Sequence, residues 1–376
     1  MFYLMNKDTK LLSFKAIKLQ ENIYNFKIIE SFSNLRPIGF NKIGSWVIGR
    51  KAPSSRRFIR DLLEKCGINN DVELIRFTHC VSINDTLWVK EENENISWKD
   101  VSLYSNDFDE TISRFVFSGE GLHGLIPPSK TPELNINGQF AKCCKKYDDG
   151  IYILKRGSEG FKNAGKEPYC EYYASQVAKL ICDEYVDYDL IDYHNKVTTK
   201  CKIFTNENIG YAPIHLILEK DATYLDILEY YDSIGSGELF RSMIVLDYLI
   251  MNEDRHMGNY GVLVDNDTFE ILGLNPVFDF NISLLCFALD EDLEDLDNYI
   301  NNLTTSFGYD FLSSAVLCMT PNIRKKLINM KGFKFKKNKY FNLSDERLEL
   351  LNNLINRRID ILLNQSNDFK KSNKFV

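Results

Sequence analysis

Alternating and helical runs of apolar residues divide the chain into a strand-rich first half and a helix-rich second half. Residues 2–4 and 11–17 read as short strands around the turn Asn6-Lys7-Asp8, and residues 23–29 as another. After Pro53, Ser54 or Ser55 can cap a helix with Phe58, Ile59, Leu62 and Leu63 on its apolar face, ended by Gly67. Residues 73–78 and 86–89 look like strands again. Residues 131–155 read as a loop, a strand, the tight turn Asp148-Asp149-Gly150 and a second strand over 151–155. A helix follows with Tyr172, Ser175, Val177, Ala178 and Ile181 on one face, then a strand over 201–205. From Ala212 onward the period is helical, over 225–231, 239–251, 296–303, 311–317 and 343–363. Ser344 caps the last of these, with Asp345 and Glu346 suiting its first turn. The pattern predicts an α+β chain in three parts: a β-rich module over 1–125, a strand-rich part over 126–210 and a helical part over 211–376.

One stretch, residues 243–284, concentrates the chemistry. An apolar helical run (Ile244, Leu246, Leu249, Ile250) breaks at Asn252, Glu253, Asp254, Arg255 and His256. Gly258-Asn259 comes next, then a β-like pair, 260–264 and 269–272, joined by Asp265-Asn266-Asp267, and an apolar stretch ending at Asp279. Phosphoryl transfer needs a carboxylate to orient and deprotonate the acceptor hydroxyl, and hard oxygen ligands to hold Mg²⁺ against nucleotide phosphates. Asp254 and Asn259 have the Asp-to-Asn spacing of a protein-kinase catalytic loop, and Asp279 stands where the metal-binding Asp of a DFG segment would be. A hairpin between them would return both ends to one edge. The same spacing also fits a helix end carrying surface ion pairs of little worth.

The preceding half offers nucleotide contacts. Gly138 and Lys142 lie in a strand-flanked loop, where a backbone without side chains lets N–H groups approach an anion. Lys155 ends an apolar strand, and Glu171 lies on the following helix. Strand lysine plus helix glutamate is how kinases hold a lysine on the phosphates. Residues 158–166 superficially resemble a P-loop but lack the Ser or Thr after GK, since Lys166 precedes Glu167, and read as a plain, mobile connection.

The strings NEDRHMGNYGVL and NPVFDFNISL, together with Gly138-Gln139-Phe140-Ala141-Lys142 and Lys155, resemble the catalytic, metal and nucleotide segments of HipA-type kinases, distant relatives of the phosphoinositide kinases. The resemblance spans roughly residues 125–290. It implies a bilobal protein-kinase-like fold with an accessory N-terminal module, use of ATP and Mg²⁺, and phosphorylation of a protein serine or threonine. It further implies Asp254 as the catalytic base, Asn259 and Asp279 as metal ligands, and Phe204 and Thr205 as the hinge that reads adenine. A toxin-like role with a DNA-binding antitoxin partner also follows from it. The chain itself has no evident helix-turn-helix, so direct DNA binding is not expected of it. One position departs from the family: the serine three residues before the glycine, an autophosphorylation site there, is Asn135 here, leaving Ser129 and Thr131 as the nearest hydroxyls. A lipid or small-molecule kinase, or a nucleotide-binding scaffold without turnover, are the other readings.

Composition narrows the rest. The formal net charge of −7, from 46 basic and 53 acidic residues, argues against a generally basic nucleic-acid surface. The basic run 324–339 and the acidic run 290–297 read as solvated faces, though a basic tract also suits tRNA. No apolar run reaches membrane-spanning length and the N-terminus lacks a signal-peptide core, so a cytoplasmic protein without a membrane is expected. Nine cysteines without a CxxC pair and five scattered histidines predict buried thiols and no transition-metal site. Trp88, Trp98, Tyr104 and Phe108, at strand spacing, read as core.

Overall fold

The computed structural model describes residues 1–53, 56, 58–121, 124, 130–136 and 140–372, and side chains as far as residue 365. Ser54, Ser55, Ser129 and Gly138 therefore lie outside the described residues. The chain divides into two compact units: Met1–Lys155, Lys202–Ala212 and Val262–Leu272 form one, and Arg156–Cys201, Pro213–Gly261 and Gly273–Val376 the other.

The first unit begins with an antiparallel sheet. Strands β1 (Phe2–Asn6), β2 (Thr9–Gln20), β3 (Ile23–Ser31) and β4 (Leu87–Glu91) lie in the order β3-β2-β1-β4. Leu4 faces Leu12 and Val89 across β1, so the alternating apolar positions meet on one side. Helices α1 (Ile43–Gly49), α2 (Ile59–Lys65) and α3 (Asp71–Thr78) follow β3. Val47, Val72 and Ile75 pack on the sheet with Phe14 and Leu12. The α3 segment corrects an expectation, because residues 73–78 were expected as a strand. Asn70 accepts from the backbone N–H groups of Val72 and Glu73, acids fill the first turn, and Val72 and Ile75 lie one turn apart on the buried side. Those local signals outweigh the strand preference of the apolar run.

Helices α4 (Trp98–Val101) and α5 (Glu110–Ser118) precede the hairpin of β5 (Lys142–Tyr147) and β6 (Gly150–Arg156). The hairpin register pairs Lys142 with Lys155 and Tyr147 with Gly150, as the Asp148-Asp149 turn requires. Trp88, Trp98, Val101 and Leu103 share one buried cluster with Ile136, Cys144 and Ile151, and Tyr104 and Phe108 pack against it. The aromatic segment is thus core.

The second unit holds α6 (Glu167–Ile181), the hairpin of β7 (Asp189–Tyr193) and β8 (Lys196–Lys202), α7 (Tyr224–Ser233) and α8 (Gly237–Ile250). β9 (Ile209–Pro213), β10 (Gly261–Asp265) and β11 (Ile271–Leu274) form a three-stranded sheet in the order β11-β10-β9. Five helices complete the chain: α9 (Asp290–Glu294), α10 (Leu296–Asn301), α11 (Phe311–Leu317), α12 (Pro321–Asn329) and α13 (Asp345–Ser372). α12 overlaps the start of the basic run: Thr320 caps it, Pro321 opens it, and Ile323 and Leu327 are buried one turn apart. α8 is buried on nearly every side, with Asp247 its one buried acid. All nine cysteines are buried. Among the described residues, no helix is long and apolar enough to cross a membrane.

Glu133 is wholly buried in the first unit, and burial pushes its carboxyl up to about 7 against the pull of Arg56. A carboxyl raised in the folded state favours folding when protonated. Stability should therefore fall as pH rises from the ordinary value of 4.5 through 7. Urea unfolding of wild type and Glu133→Gln across that range should show wild type losing stability relative to the variant. A pH-independent difference would mean that the folded state does not disfavour this charge.

Candidate active site

The second unit assembles its site at the C-terminal end of α8. Met251 adopts the left-handed conformation (φ 52°, ψ 55°) and turns the chain out of the helix. Asn252 then reaches back: its Nδ2 donates to Asp247 Oδ1 at 3.0 Å. Its Oδ1 accepts from the Asp254 N–H at 3.2 Å. Arg255, 1% exposed, donates from Nε to Asp247 Oδ2 at 2.9 Å and from Nη2 to Asp247 Oδ1 at 3.0 Å. The remaining nitrogen, Nη1, donates to the carbonyls of Asn259 (3.1 Å) and Phe278 (2.5 Å). A single guanidinium therefore joins the α8 helix, the 252–260 loop and the segment leading into Asp279.

Those bonds set the positions of three side chains. Asp254 is half-buried, and its carboxylate accepts no hydrogen bond among the described residues, although its carbonyl accepts from His256 N and Asn259 Nδ2, both at 2.8 Å. Burial raises its pKa, and the nearby Asp279 carboxylate raises it further, while His256 and Arg255 pull the other way. Asn259 is buried, with its amide nitrogen committed to Asp254 and Oδ1 left as the acceptor. Asp279 sits at φ 62°, a conformation Asp tolerates better than most residues. Its N–H donates to the Tyr188 hydroxyl at 3.1 Å, and Tyr188 packs edge-on against Phe280. The hairpin between these loops is closed at its base by Gly261 N donating to Asn275 Oδ1 at 2.7 Å. The structure thus brings Asp254, Asn259 and Asp279 together.

The other candidates fall as follows. In the second unit Glu171 is buried on α6 and accepts from Thr199 Oγ1 at 2.5 Å. In the first unit Lys142 and Lys155 are both buried and occupy one cross-strand pair, with their side chains on the same face. Thr205 Oγ1 donates to Ile83 O at 2.5 Å, and Phe204 lies edge-on to Tyr211 at 5.5 Å. Tyr211 N donates to Asn84 O at 2.7 Å. Glu207 Oε1 accepts from Trp98 Nε1 and from the Ser102 and Ser105 hydroxyls, so the 204–211 segment is strapped to residues 83–105. Thr131, a nearest hydroxyl to the departing Asn135 position, is buried. The 158–166 connection, expected to be plain and mobile, is anchored within its unit: Asn163 donates to Phe287 O, and Lys162 pairs with Glu291 at 2.7 Å on the surface.

Sequence reasoning missed Asp247, Asn252 and Tyr188 as site-builders and gave Arg255 no role. A lone acid inside an apolar helix, eight residues before an Arg, was the available signal for the buried pair.

No protein-family model and no curated protein matches the sequence. Among solved structures, the chain is similar to HipA of Shewanella oneidensis MR-1, solved as a toxin–antitoxin complex of HipA, HipB and operator DNA. The TM-score is 0.55 at 11% identity, covering 97% of this chain and 99% of that one. A second likeness is to the Helicobacter pylori proinflammatory kinase CtkA, with a TM-score of 0.46 and 22% identity over 61% of this chain and 95% of that one. The HipA likeness shows an α+β fold of the kinase-like type over nearly the whole of both chains.

Removing one member of a buried ion pair strands the other. Arg255→Met should cost about 3–5 kcal/mol in urea unfolding. Asp247→Leu combined with Arg255→Met should cost clearly less than the sum of the two single changes. Additive losses would show that the pair is not the element holding these segments together.

Proposed function

We propose that the chain is a cytoplasmic kinase that uses ATP and Mg²⁺ to phosphorylate a protein serine or threonine. The observation that carries this reading is the trio of Asp254, Asn259 and Asp279, tied together through Arg255, with the Asp254 carboxylate open to an incoming hydroxyl. The donors fit Mg²⁺: a carboxylate at Asp279 and an amide oxygen at Asn259 are hard oxygens, and Mg²⁺ usually takes only one or two carboxylates from a protein and completes its shell with phosphates and water. The ion, when bound, would neutralise charge on the transferred phosphoryl group.

The chain's own residues do the rest. Asp254 orients the acceptor hydroxyl and takes its proton, for which its raised pKa makes it a better base than an exposed aspartate. Lys142 and Lys155, buried opposite one another on one rung of the β5–β6 hairpin, are assigned to the phosphates. Lys155, Glu171 and Gly138 as nucleotide contacts, and Phe204 and Thr205 as the adenine-reading segment, complete the assignment proposed from the sequence. The fold likeness to HipA, solved with HipB and its operator DNA, supports a toxin-like role with an antitoxin partner that supplies the DNA contacts.

Transfer of labelled phosphate from ATP to cell lysate, lipid extract and the chain itself tests the acceptor. Label on protein supports the reading, and label on lipid alone replaces it with a lipid kinase. Asp254→Asn should keep ATP affinity and lower turnover by about 10²–10⁴-fold, the usual range for a lost general base. Asp279→Asn should instead blunt the Mg²⁺ dependence of ATP binding. Turnover should fall in acid with a midpoint above the ordinary range of an aspartate, because Asp254 must be ionised to act. A limb at the ordinary value would remove Asp254 as the base.

A further inference from the structure

Ser306 has no part in the chemistry above, yet it is exposed and its Oγ donates to Glu253 O at 2.7 Å, one residue from Asp254. The turn that carries it is closed on itself: Thr305 donates to Tyr309 O from N at 3.3 Å and from Oγ1 at 2.7 Å, and Gly308 N donates to Thr305 O at 3.2 Å. Gly308 sits at φ 77°, which a residue without Cβ adopts at little cost. Phe307 pins the turn to the helical core, its ring 5.4 Å from that of Tyr224 and 6.0 Å from that of Tyr260. Thr305 and Phe307 also line a cavity with Asp247, Asn252 and Arg255, so the turn covers one side of the buried ion pair. Ser306 therefore presents a hydroxyl to solvent from a turn that rests on both the 252–260 loop and the pair beneath it.

The turn does not depend on that hydroxyl. A bond from an exposed hydroxyl to a carbonyl contributes little, while the ring contacts of Phe307 and the three bonds within 305–309 stay when the hydroxyl is removed. What the place offers is leverage by charge. A phosphate brings about −1.5 to −2 charges and disrupts where it meets acids or apolar packing. On Ser306 it would replace the proton now donated to Glu253 O, face that carbonyl oxygen, and add its charge to the Asp254 and Asp279 carboxylates, which already act on each other. Arg255 cannot answer it, being 1% exposed with each nitrogen already bonded to a carboxylate or a carbonyl. The turn would lift, and the cavity beside Asp247 and Arg255 would open to water.

We propose that Ser306 is a phosphorylation site through which the kinase is switched off, the phosphoryl group coming from ATP bound to a second copy of this chain. The Ser306 hydroxyl is turned on the backbone of residue 253 and not on the Asp254 carboxylate, so the exposed turn enters another copy's site rather than its own. Ser306 Oγ forms the new bond to the γ-phosphorus as the bond to ADP breaks, and the hydroxyl proton passes to Asp254 of the copy that holds the ATP. This rests on the kinase reading above.

The test mixes full-length wild type and Mg²⁺-ATP with the full-length Asp254→Asn chain, carrying a tag that separates the two by mass, and maps phosphate by mass spectrometry of peptides. Ser306 of the inactive chain should carry phosphate, at a rate that falls on dilution. Wild type preincubated with Mg²⁺-ATP and then freed of nucleotide should lose label transfer to lysate protein about tenfold. Ser306→Ala should start within about twofold of wild type, as the small worth of its bond requires, and keep its rate through the same preincubation. Ser306→Thr, which keeps an acceptor hydroxyl, should regain both the phosphate and the loss. Phosphate elsewhere on the chain but not at Ser306, phosphate at Ser306 with no fall in rate, or a fall that the Ala variant shares overturns this proposal alone. A wild type that transfers phosphate to no protein, itself included, overturns the kinase reading and this one with it.

Discussion

The helical unit depends on the buried ion pair of Arg255 and Asp247. A guanidinium at 1% exposure must find partners for its donors, and each nitrogen of this one bonds to a carboxylate or a carbonyl drawn from residues 247, 259 and 278. Neither charge can be removed alone without leaving the other stranded. The segments it joins are then fixed relative to one another by backbone positions, with Asn259 Nδ2 adding a bond to the Asp254 carbonyl. The neighbouring bonds reinforce this: Leu284 N reaches Ile250 O at 2.7 Å and Glu253 N reaches Ile282 O at 3.3 Å, tying the chain after Asp279 to the chain before Asp254.

The first unit uses a different device to similar effect. Its nucleotide candidates hang from the same core as the N-terminal sheet, since Trp98, Leu103, Ile136, Cys144 and Ile151 are one buried cluster with Met5 and Trp88. Strapping is polar at the edges: Glu207 collects three donors from residues 98–105, and Thr205 bonds Ile83. The body of the β10–β11 hairpin joins this unit through Asn6, whose side chain donates to Asn266 O at 2.6 Å, and through Asn266, whose side chain donates to Asn206 O at 3.0 Å. The N-terminal residues are thus part of what gives residues 140–155 and 202–212 their shape.

Much of this was legible from the order of residues, and the failures have physical causes. Strands β1 to β3, the β5–β6 hairpin and helices α7, α8, α11 and α13 follow their apolar periods. The α3 segment VELIRF satisfies both strand and helix periods over so short a length, and only the cap at Asn70 separates them. The β7–β8 turn escaped because His194 and Asn195 carry its positive φ values of 52° and 57° where a glycine would have announced it. α12 was hidden under its lysines. Asp254, Asn259 and Asp279 could be singled out because a kinase catalytic loop has a characteristic spacing, whereas Arg255, Asp247, Arg56 and Glu133 act as pairs whose spacing is fixed only by the fold.

Charge placement separates what the fold spends on shape from what it leaves to solvent. The ion pairs of the C-terminal basic and acidic runs, Lys331 with Asp360, Lys337 with Asp345 and Arg357 with Asp297, have both partners largely exposed, where such pairs contribute little. Lys326 pairs with Asp183 in the same way from a more sheltered position. Buried charges, by contrast, include Asp247 with Arg255, Arg56 with Glu133, Lys142, Lys155 and Glu171, and also Arg156, Glu167, Arg347 and Arg358. Burial of charge is the most expensive choice a sequence makes, and the Asp247–Arg255 pair makes it beside Asp254, Asn259 and Asp279.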